Sequence, residues 1–247
     1  MLEDAAQMYL LRLNEEYKSK LKTILNAAFP TDFNPDSSIG LPIRSTDKCL
    51  QESECLSFEN YTTYAHTIAK RDTQRYLSKN DTAPLKTTNG LIYDTIVLTS
   101  ESAMILEARK SYEGPNTTFP FRFIVNENDV LQGTGDPGSY HKMLALNVTA
   151  DDIMFSTITS IAFQMMSKVV LGNHCSNFHR MMPGFVNRGC GAAHDGAMEW
   201  IQQSDIPEFR ICCAWTSSEE CNSRRQSGKF GANFQRGQDV GNPNLKI

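Results

Sequence analysis

The amino-acid sequence predicts a mainly α-helical fold of the α+β class, with a helical C-terminal subdomain stapled by cysteines and one small β-hairpin element. Two observations support this prediction. The longest apolar pattern with helical spacing begins near Asp151, and five of the seven cysteines follow it in the last third of the chain. A chain of 247 residues with 40% hydrophobic content is also long enough to bury a substantial core.

An N-terminal amphipathic helix is predicted within residues 1–30. Apolar residues three or four positions apart share one of its faces: Leu10, Leu13, Tyr17, Leu21, Ile24 and Ala28. Pro30 ends this pattern, because proline lacks the N–H that a helix needs and its ring clashes with the preceding turn. We interpret residues 31–59 as a polar loop that contains a small disulfide-closed turn with Cys49 and Cys55.

Residues 31–148 are predicted to form an α+β region around that loop. The segment 61–79 alternates apolar and charged residues at helical spacing and is predicted to be a helix. The segment 92–112 fits either one helix or a strand followed by a helix, and its periodicity does not decide between them.

The clearest β signal lies near residues 119–132. Phe119, Phe121 and Phe123 alternate with Pro120 and Arg122, and a run of turn-forming residues follows them. Alternation followed by turn residues is typical of two strands joined by a tight turn. The sequence therefore predicts a β-hairpin in this segment.

Residues 149–215 are predicted to form the Cys-rich helical subdomain. Its first helix has an apolar stripe that ends before Gly172 and consists of Met154, Ile158, Ile161, Met165 and Val169. A second stripe repeats this spacing, although Pro183 must kink or split it; its members are Cys175, Phe178, Met182 and Phe185.

Two shorter helices are predicted to complete the subdomain. The third contains Ala193, Ala197, Trp200 and Ile201, and the fourth opens at Asp205. Residues 216–247 are dominated by Ser, Asn, Gly, Gln and Arg. We predict a disordered tail there, because so few apolar residues cannot offset the entropy lost on ordering.

The cysteines indicate an oxidising compartment. All seven are disulfide candidates: Cys49, Cys55, Cys175, Cys190, Cys212, Cys213 and Cys221. Four N-x-S/T sequons are glycosylation candidates compatible with that compartment: Asn60, Asn80, Asn116 and Asn147. We therefore expect an extracellular or lumenal protein. No signal peptide is visible at the N-terminus, so the chain is compatible with a fragment of a longer protein.

A zinc site is the alternative interpretation of the same cysteines. Cys175 and His179 are four residues apart, and so are Cys190 and His194. On a helix this spacing places a thiolate and an imidazole on the same face, and two such pairs would supply the four ligands of a tetrahedral Cys2His2 site.

A catalytic alternative comes from the segment GCGAAHD, which ends at His194 and Asp195. It resembles the Cys-rich helix of secreted phospholipases A2, in which a His-Asp pair activates the attacking water. The resemblance covers only these few residues and implies a hydrolase with His194 as base and Asp195 as its partner. For an enzyme, the expected polar centre is His194, Asp195 and His179. The cysteine before the histidine is displaced by one position, and the glycine-rich calcium loop expected upstream is absent.

A dinucleotide fingerprint, G-x-G-x-x-G, is matched by residues Gly133 to Gly138. Pro137 lies inside the match, and the surrounding sequence lacks the strand–helix–strand rhythm that a dinucleotide site requires. We interpret these glycines as turn residues.

The function predicted from these observations is that of a disulfide-stabilised binding or interaction module, secreted or lumenal, with no cofactor. A net charge of −4 does not favour nucleic-acid binding. No apolar run is long enough to span a membrane, because polar residues interrupt the best candidate. The expected partner is a protein or a small molecule, and the alternatives are the zinc domain and the hydrolase described above.

Overall fold

The computed structural model describes residues 13–43, 56–79, 87, 89–114, 117–127, 148–173, 176–186 and 196–201. A short 3-10 turn precedes the first strand. The helices and strands follow one another in this order: α1 Glu15–Ala28, β1 Ser38–Pro42, α2 Phe58–Ser78, β2 Thr95–Thr99, α3 Ala103–Lys110, β3 Arg122–Val125, α4 Ala150–Met165, β4 Val169–Asn173, α5 Asn177–Met181, α6 Pro183–Val186 and β5 Ala197–Ile201.

The five strands form one parallel sheet in the order β3-β2-β1-β4-β5. Along the chain, the first three strands are added in one direction, and β4 and β5 are then added on the other side of β1. Crossovers between parallel strands are right-handed, so this reversal places the two sets of connecting helices on opposite faces of the sheet. The architecture is that of a doubly wound α/β domain.

Alternate residues of the strands bury against the two helical layers. Ile39 and Ile96 belong to a large core cluster with α2 and α3, whereas Val97 and Ile124 pack with Phe163 of α4. The central strands β1, β2 and β4 are buried at every position. Burial on both faces explains why these strands are short, continuous apolar runs and not alternating patterns.

The two long helices begin at capping boxes that can be read from the sequence. Ser57 caps α2 by accepting a hydrogen bond from the backbone N–H of Asn60, whose side chain accepts from the Ser57 N–H in return. Thr149 and Asp152 form the same reciprocal pair at the start of α4. Each box satisfies backbone donors that would otherwise lack partners at a helix start.

An ion-pair group fixes α2 to the edge strand β5. The Arg71 guanidinium donates to both carboxylate oxygens of Glu199, over 2.8 and 3.3 Å, and to Asp72 over 2.8 Å. Asp72 also accepts from the hydroxyl of Tyr93, just before β2, over 3.1 Å. Burial, followed by the charge of Asp72, raises the pKa of Tyr93 well above its usual range, so the phenol stays neutral and donates.

The prediction of a mainly helical fold with a cysteine-stapled subdomain is wrong, because β4 and β5 lie in the same parallel sheet as β1–β3. All seven cysteines lie outside the described residues. The segment 31–59, interpreted from sequence as a loop, contains β1. The apolar run in this segment is too short for its periodicity to show whether it forms a buried strand or another structure.

The predicted hairpin near 119–132 is also wrong, because β3 pairs in parallel with β2, with Ile124 beside Val97. A hairpin would require an antiparallel neighbour. The predicted third helix is replaced by β5, and Val169, assigned to the first helix of the subdomain, begins β4. The spacing of apolar residues within one segment could not reveal these strands, because strands are stabilised by pairing with distant parts of the chain.

Several helices were predicted correctly. The 61–79 segment lies in α2 and its C-cap, and the 92–112 segment is a strand followed by a helix, one of its two alternatives. Pro183 splits the second stripe into α5 and α6, as its missing N–H requires. Phe178, Met182 and Phe185 of that stripe are all buried.

Candidate ligand site at the carboxyl ends of the strands

The strand order defines one place in this fold where a crevice is expected. In open α/β sheets, ligands bind outside the carboxyl ends of the strands, at the point where the strand order reverses. Here that point lies between β1 and β4. Polar residues follow the strands at this edge: Ser100 and Glu101 after β2, Asn126 and Glu127 after β3, and Ser176 after β4.

His179 links the carboxyl ends of β1 and β4. It lies in α5 and is 1% exposed. Its Nδ1 accepts a hydrogen bond from the backbone N–H of Asn173 over 2.8 Å, and its Nε2 donates to the backbone carbonyl of Pro42. Because an N–H can only donate and a carbonyl can only accept, these two partners fix a neutral imidazole with its proton on Nε2.

This arrangement shows what His179 does in the fold. Its ring bridges the last residues of the two strands that flank the reversal, so it sets their spacing at the floor of the expected crevice. Both ring nitrogens hold backbone groups, and binding zinc or accepting a proton would break one of these hydrogen bonds. Ser176 caps the helix that presents the ring by accepting from the His179 N–H.

A small cleft of about 10 Å³, which is room for about one water molecule, lies at the carboxyl ends of β2 and β3, beneath α4. We call it the β2–β3 cleft. Its lining combines apolar side chains with hydroxyl and amide groups: Leu98, Thr99, Ser100, Val125, Asn126, Thr159, Ser160 and Phe163. None of these eight residues is charged. The cleft therefore suits one water molecule or one small uncharged group that makes hydrogen bonds at one side and apolar contacts at the other.

Gln164 supports one wall of this cleft from behind. It is fully buried, and its Nε2 donates to the backbone carbonyl of Val97 over 3.2 Å and to Thr99 Oγ1 over 2.9 Å. Its Oε1 has no hydrogen-bond partner among the described residues and lies against Gly40, where an added Cβ would come within 2.1 Å of it. Glycine at position 40 thus gives the amide the space to reach β2.

The opposite face of β2 carries a second polar contact near the same edge. Tyr61 of α2 is almost fully buried, and this burial, together with the negative charge of Glu101, raises the pKa of its hydroxyl well above the usual range. Tyr61 therefore remains a neutral phenol. Glu101 lies two residues beyond β2, so the edge has a carboxylate at the end of this strand as well as Glu127 after β3.

The structure places only part of the site predicted from sequence. His179 is described and lies at the carboxyl edge, and Asn60 is described in the first turn of α2. The remaining candidates lie outside the described residues: His194, Asp195, every cysteine, the other three sequons and the Gly133–Gly138 motif. Within the described ranges, no three His, Cys, Asp or Glu side chains gather in a way that could hold a metal ion.

Sequence reasoning missed Gly40, Thr99 and Gln164. The run SIGLPI contained a usable signal, because a short apolar stretch between Asp36 and the charged residues after Ile43 is compatible with a buried parallel strand. The glycine inside it indicated a close approach by another part of the chain. Nothing local indicated that Gln164 would turn towards β2.

A scan against protein-family models and a search of curated proteins returned no match for this chain. The class of protein is defined here by the fold and by the edge just described: a doubly wound parallel α/β domain with its strand reversal between β1 and β4. Across the ranges that the structure describes, we found no helix with the length and apolar character needed to cross a bilayer.

Proposed function

We propose that this chain is a ligand-binding α/β domain and that its ligand is a nucleotide held across the carboxyl ends of β1, β2 and β4. The observation on which the proposal rests is the reversal of strand order between β1 and β4. Doubly wound sheets with this order bind mononucleotides and dinucleotides at the reversal. The proposal is an analogy of fold, to which the chemistry of the edge adds support.

The polarity of the edge supports a ligand with one neutral and one charged half. The residues around the β2–β3 cleft are uncharged and include hydrogen-bonding groups, which suits a contact with one hydroxyl of a ribose or one edge of a base. The sequence directly after β1 contains Arg44 and Lys48, the residue types that pair with phosphate. A nucleotide whose base or ribose lies against the cleft would direct its phosphates towards the segment that follows β1 in the sequence.

The Gly133–Gly138 motif does not contribute to this proposal. In the dinucleotide fold the glycine fingerprint joins the first strand to the first helix, beside the reversal. Here the motif follows β3, which is an edge strand of the sheet. The proposed site is therefore independent of the fingerprint that the sequence appeared to offer.

The proposed compartment remains extracellular or lumenal, and the chain remains a proposed binding module. This part of the proposal is supported by the cysteine content and the sequons alone. Nucleotides and nucleotide-linked molecules are chemically compatible with either compartment, so the ligand proposal does not depend on it.

The proposal can be tested by thermal unfolding of the full chain with ADP, GDP, UDP, CDP and NAD, followed by calorimetric titration of any nucleotide that shifts the melting temperature. A ligand at one hundred times its Kd stabilises the folded state by about 2.7 kcal/mol. Ser160→Leu should weaken binding, because the half-buried Ser160 lines the cleft and leucine would fill it.

Ser19→Leu is the matched control, since Ser19 is exposed on α1 and lines no part of the cleft. It should bind the nucleotide like the unmodified chain. The proposal fails if none of these nucleotides raises the melting temperature, or if Ser160→Leu binds as tightly as Ser19→Leu does.

A further inference from the structure

The first turn of α2 contains a complete sequon, formed by Asn60, Tyr61 and Thr62. Two hydrogen bonds hold the Asn60 side chain, and its amide oxygen accepts both of them. The donors are the backbone N–H of Ser57, over 3.1 Å, and the Ser57 hydroxyl, over 2.7 Å. These bonds belong to the capping box at the start of the helix, so the orientation of the amide is fixed by the fold.

This orientation leaves the amide nitrogen of Asn60 on the open side. Because a backbone N–H can only donate, the atom that faces the Ser57 N–H must be the oxygen. The nitrogen, Nδ2, makes no hydrogen bond with the other described residues. Asn60 is half-buried, and Glu59 and Thr63, its neighbours on the helix surface, are exposed. Nδ2 is the atom of an asparagine to which an N-linked sugar is attached.

We infer that Nδ2 of Asn60 carries an N-linked glycan. The co-reactant is an oligosaccharide linked to a lipid diphosphate. The Asn60 nitrogen forms a bond to C1 of the first sugar and loses one proton, and the bond from C1 to the diphosphate oxygen breaks, so the lipid diphosphate leaves. This inference rests on the proposed extracellular or lumenal compartment and is independent of the proposed nucleotide.

The burial of the rest of the sequon determines when the sugar is attached. Thr62 is 2% exposed, and its hydroxyl donates to the backbone carbonyl of Glu59 over 3.0 Å. An enzyme that recognises the threonine hydroxyl cannot reach it in the folded domain, so attachment precedes the packing of α2. The sugar replaces one hydrogen of Nδ2 and leaves the oxygen free to accept, so the capping box can form afterwards. A bulky, hydrophilic glycan then keeps the first turn of α2 at the surface.

Peptide mapping of the protein isolated from its own source tests the inference. Enzymatic release of an N-linked glycan converts its asparagine to aspartate, so mass spectrometry identifies each occupied site. The expected result is conversion at Asn60. A bare Asn60 beside an occupied Asn80, Asn116 or Asn147 overturns the inference and leaves the proposed compartment standing. If all four sequons are bare, the inference fails and the sequons no longer support the compartment.

Variants of the full chain, produced in the secretory pathway of a eukaryotic cell, separate the sugar from the helix cap. Asn60→Asp and Thr62→Val should each lose the mass of one glycan, whereas Thr62→Ser should keep it. Aspartate still offers Ser57 an acceptor, so Asn60→Asp and the glycosylated chain should differ in melting temperature by less than the roughly 2–4 °C that loss of a cap costs. An unchanged mass of Asn60→Asp, or a glycosylated chain that melts about 2–4 °C lower than this variant, overturns the inference.

Discussion

Replacing Gly40 with alanine tests the contact between β1 and α4 that supports the cleft. An alanine Cβ would lie 2.1 Å from Gln164 Oε1, 3.0 Å from Ser167 Oγ and 3.1 Å from Val170 Cγ2. The end of a glutamine side chain is normally free to move away. This one is fully buried, and its nitrogen is held by two acceptors on β2, so moving the amide breaks those bonds.

The magnitude follows from two opposing effects. Loss of two neutral hydrogen bonds costs about 0.5–1.5 kcal/mol each, or about 1–3 kcal/mol together. Alanine in place of glycine reduces the entropy of the unfolded chain and offsets about 0.4–1 kcal/mol of this loss. We therefore expect Gly40→Ala to lower the free energy of unfolding by about 1–2 kcal/mol, although strand and helix preferences alone would favour alanine.

Urea unfolding measures this change, with a lower midpoint and an unchanged slope as the expected result. The matched variants are Gln164→Ala and the double variant with Gly40→Ala. Removing the glutamine removes the clash, so the two effects should be less than additive by at least about 0.5 kcal/mol. A Gly40→Ala protein within about 0.5 kcal/mol of the unmodified chain, or strictly additive effects, would refute the reasoning.

Two further predictions concern the histidine and the cysteines. His179→Phe should lower the free energy of unfolding by about 2–4 kcal/mol, because it removes the ring nitrogens that bind the Asn173 N–H and the Pro42 carbonyl. Urea unfolding measures this change. A loss below about 0.5 kcal/mol would contradict the bridging role of His179. If Cys175 and Cys190 are disulfide-bonded, a reductant should lower the melting temperature, at about 2–4 kcal/mol for each closed loop, and a chelator should not. Thiol and zinc analysis of the unfolded, unreduced chain decides the matter, since one free thiol without zinc supports disulfides and three or more thiols with one zinc support the metal site.

The helices could be predicted from sequence because their signals are local. The α2 and α4 segments have capping residues and apolar spacing within one continuous stretch, so neither depends on the rest of the chain. The end of α4 was not predicted correctly. The apolar stripe continues through Met165 to Val169 without a break in spacing, yet the helix ends at Met165 and Val169 enters the sheet.

The sheet could not be predicted because parallel strands pair with residues far away in sequence. Ile39 lies beside Ile96 on one side and Val169 on the other, and neither neighbour leaves a mark near position 39. The phenylalanines before and within β3 suggested alternation, but they pack on one another around Tyr112 and Phe58 of the helical layer. Local alternation was therefore mistaken for a hairpin with one exposed face.

The site shows the same division between local and distant information. His179 was selected from sequence because it lies four residues after a cysteine, and the structure gives it two backbone partners instead, one of them 137 positions away. Thr99 was not selected at all, since threonine at the end of a strand is unremarkable by residue type. Its chemistry depends on Gln164, and the reach of Gln164 depends on the missing side chain at Gly40.

The two buried polar side chains at this edge perform related tasks, and this relation explains why the edge can hold a ligand in a fixed geometry. His179 joins β1 to the segment after β4, and Gln164 joins α4 to β2, so each side chain ties together elements that belong to different crossovers. Buried hydrogen bonds, such as those made by the His179 ring and by Gln164 Nε2, restrict the arrangement of the core more than apolar contacts do. Both side chains come from the helical layer that contains α4 and α5, so the strand ends are held in place from that face of the sheet, and a ligand that binds there need not order them first. Preorganisation of this kind lowers the entropic cost of binding, which is why we expect Gly40→Ala to weaken nucleotide binding as well as folding.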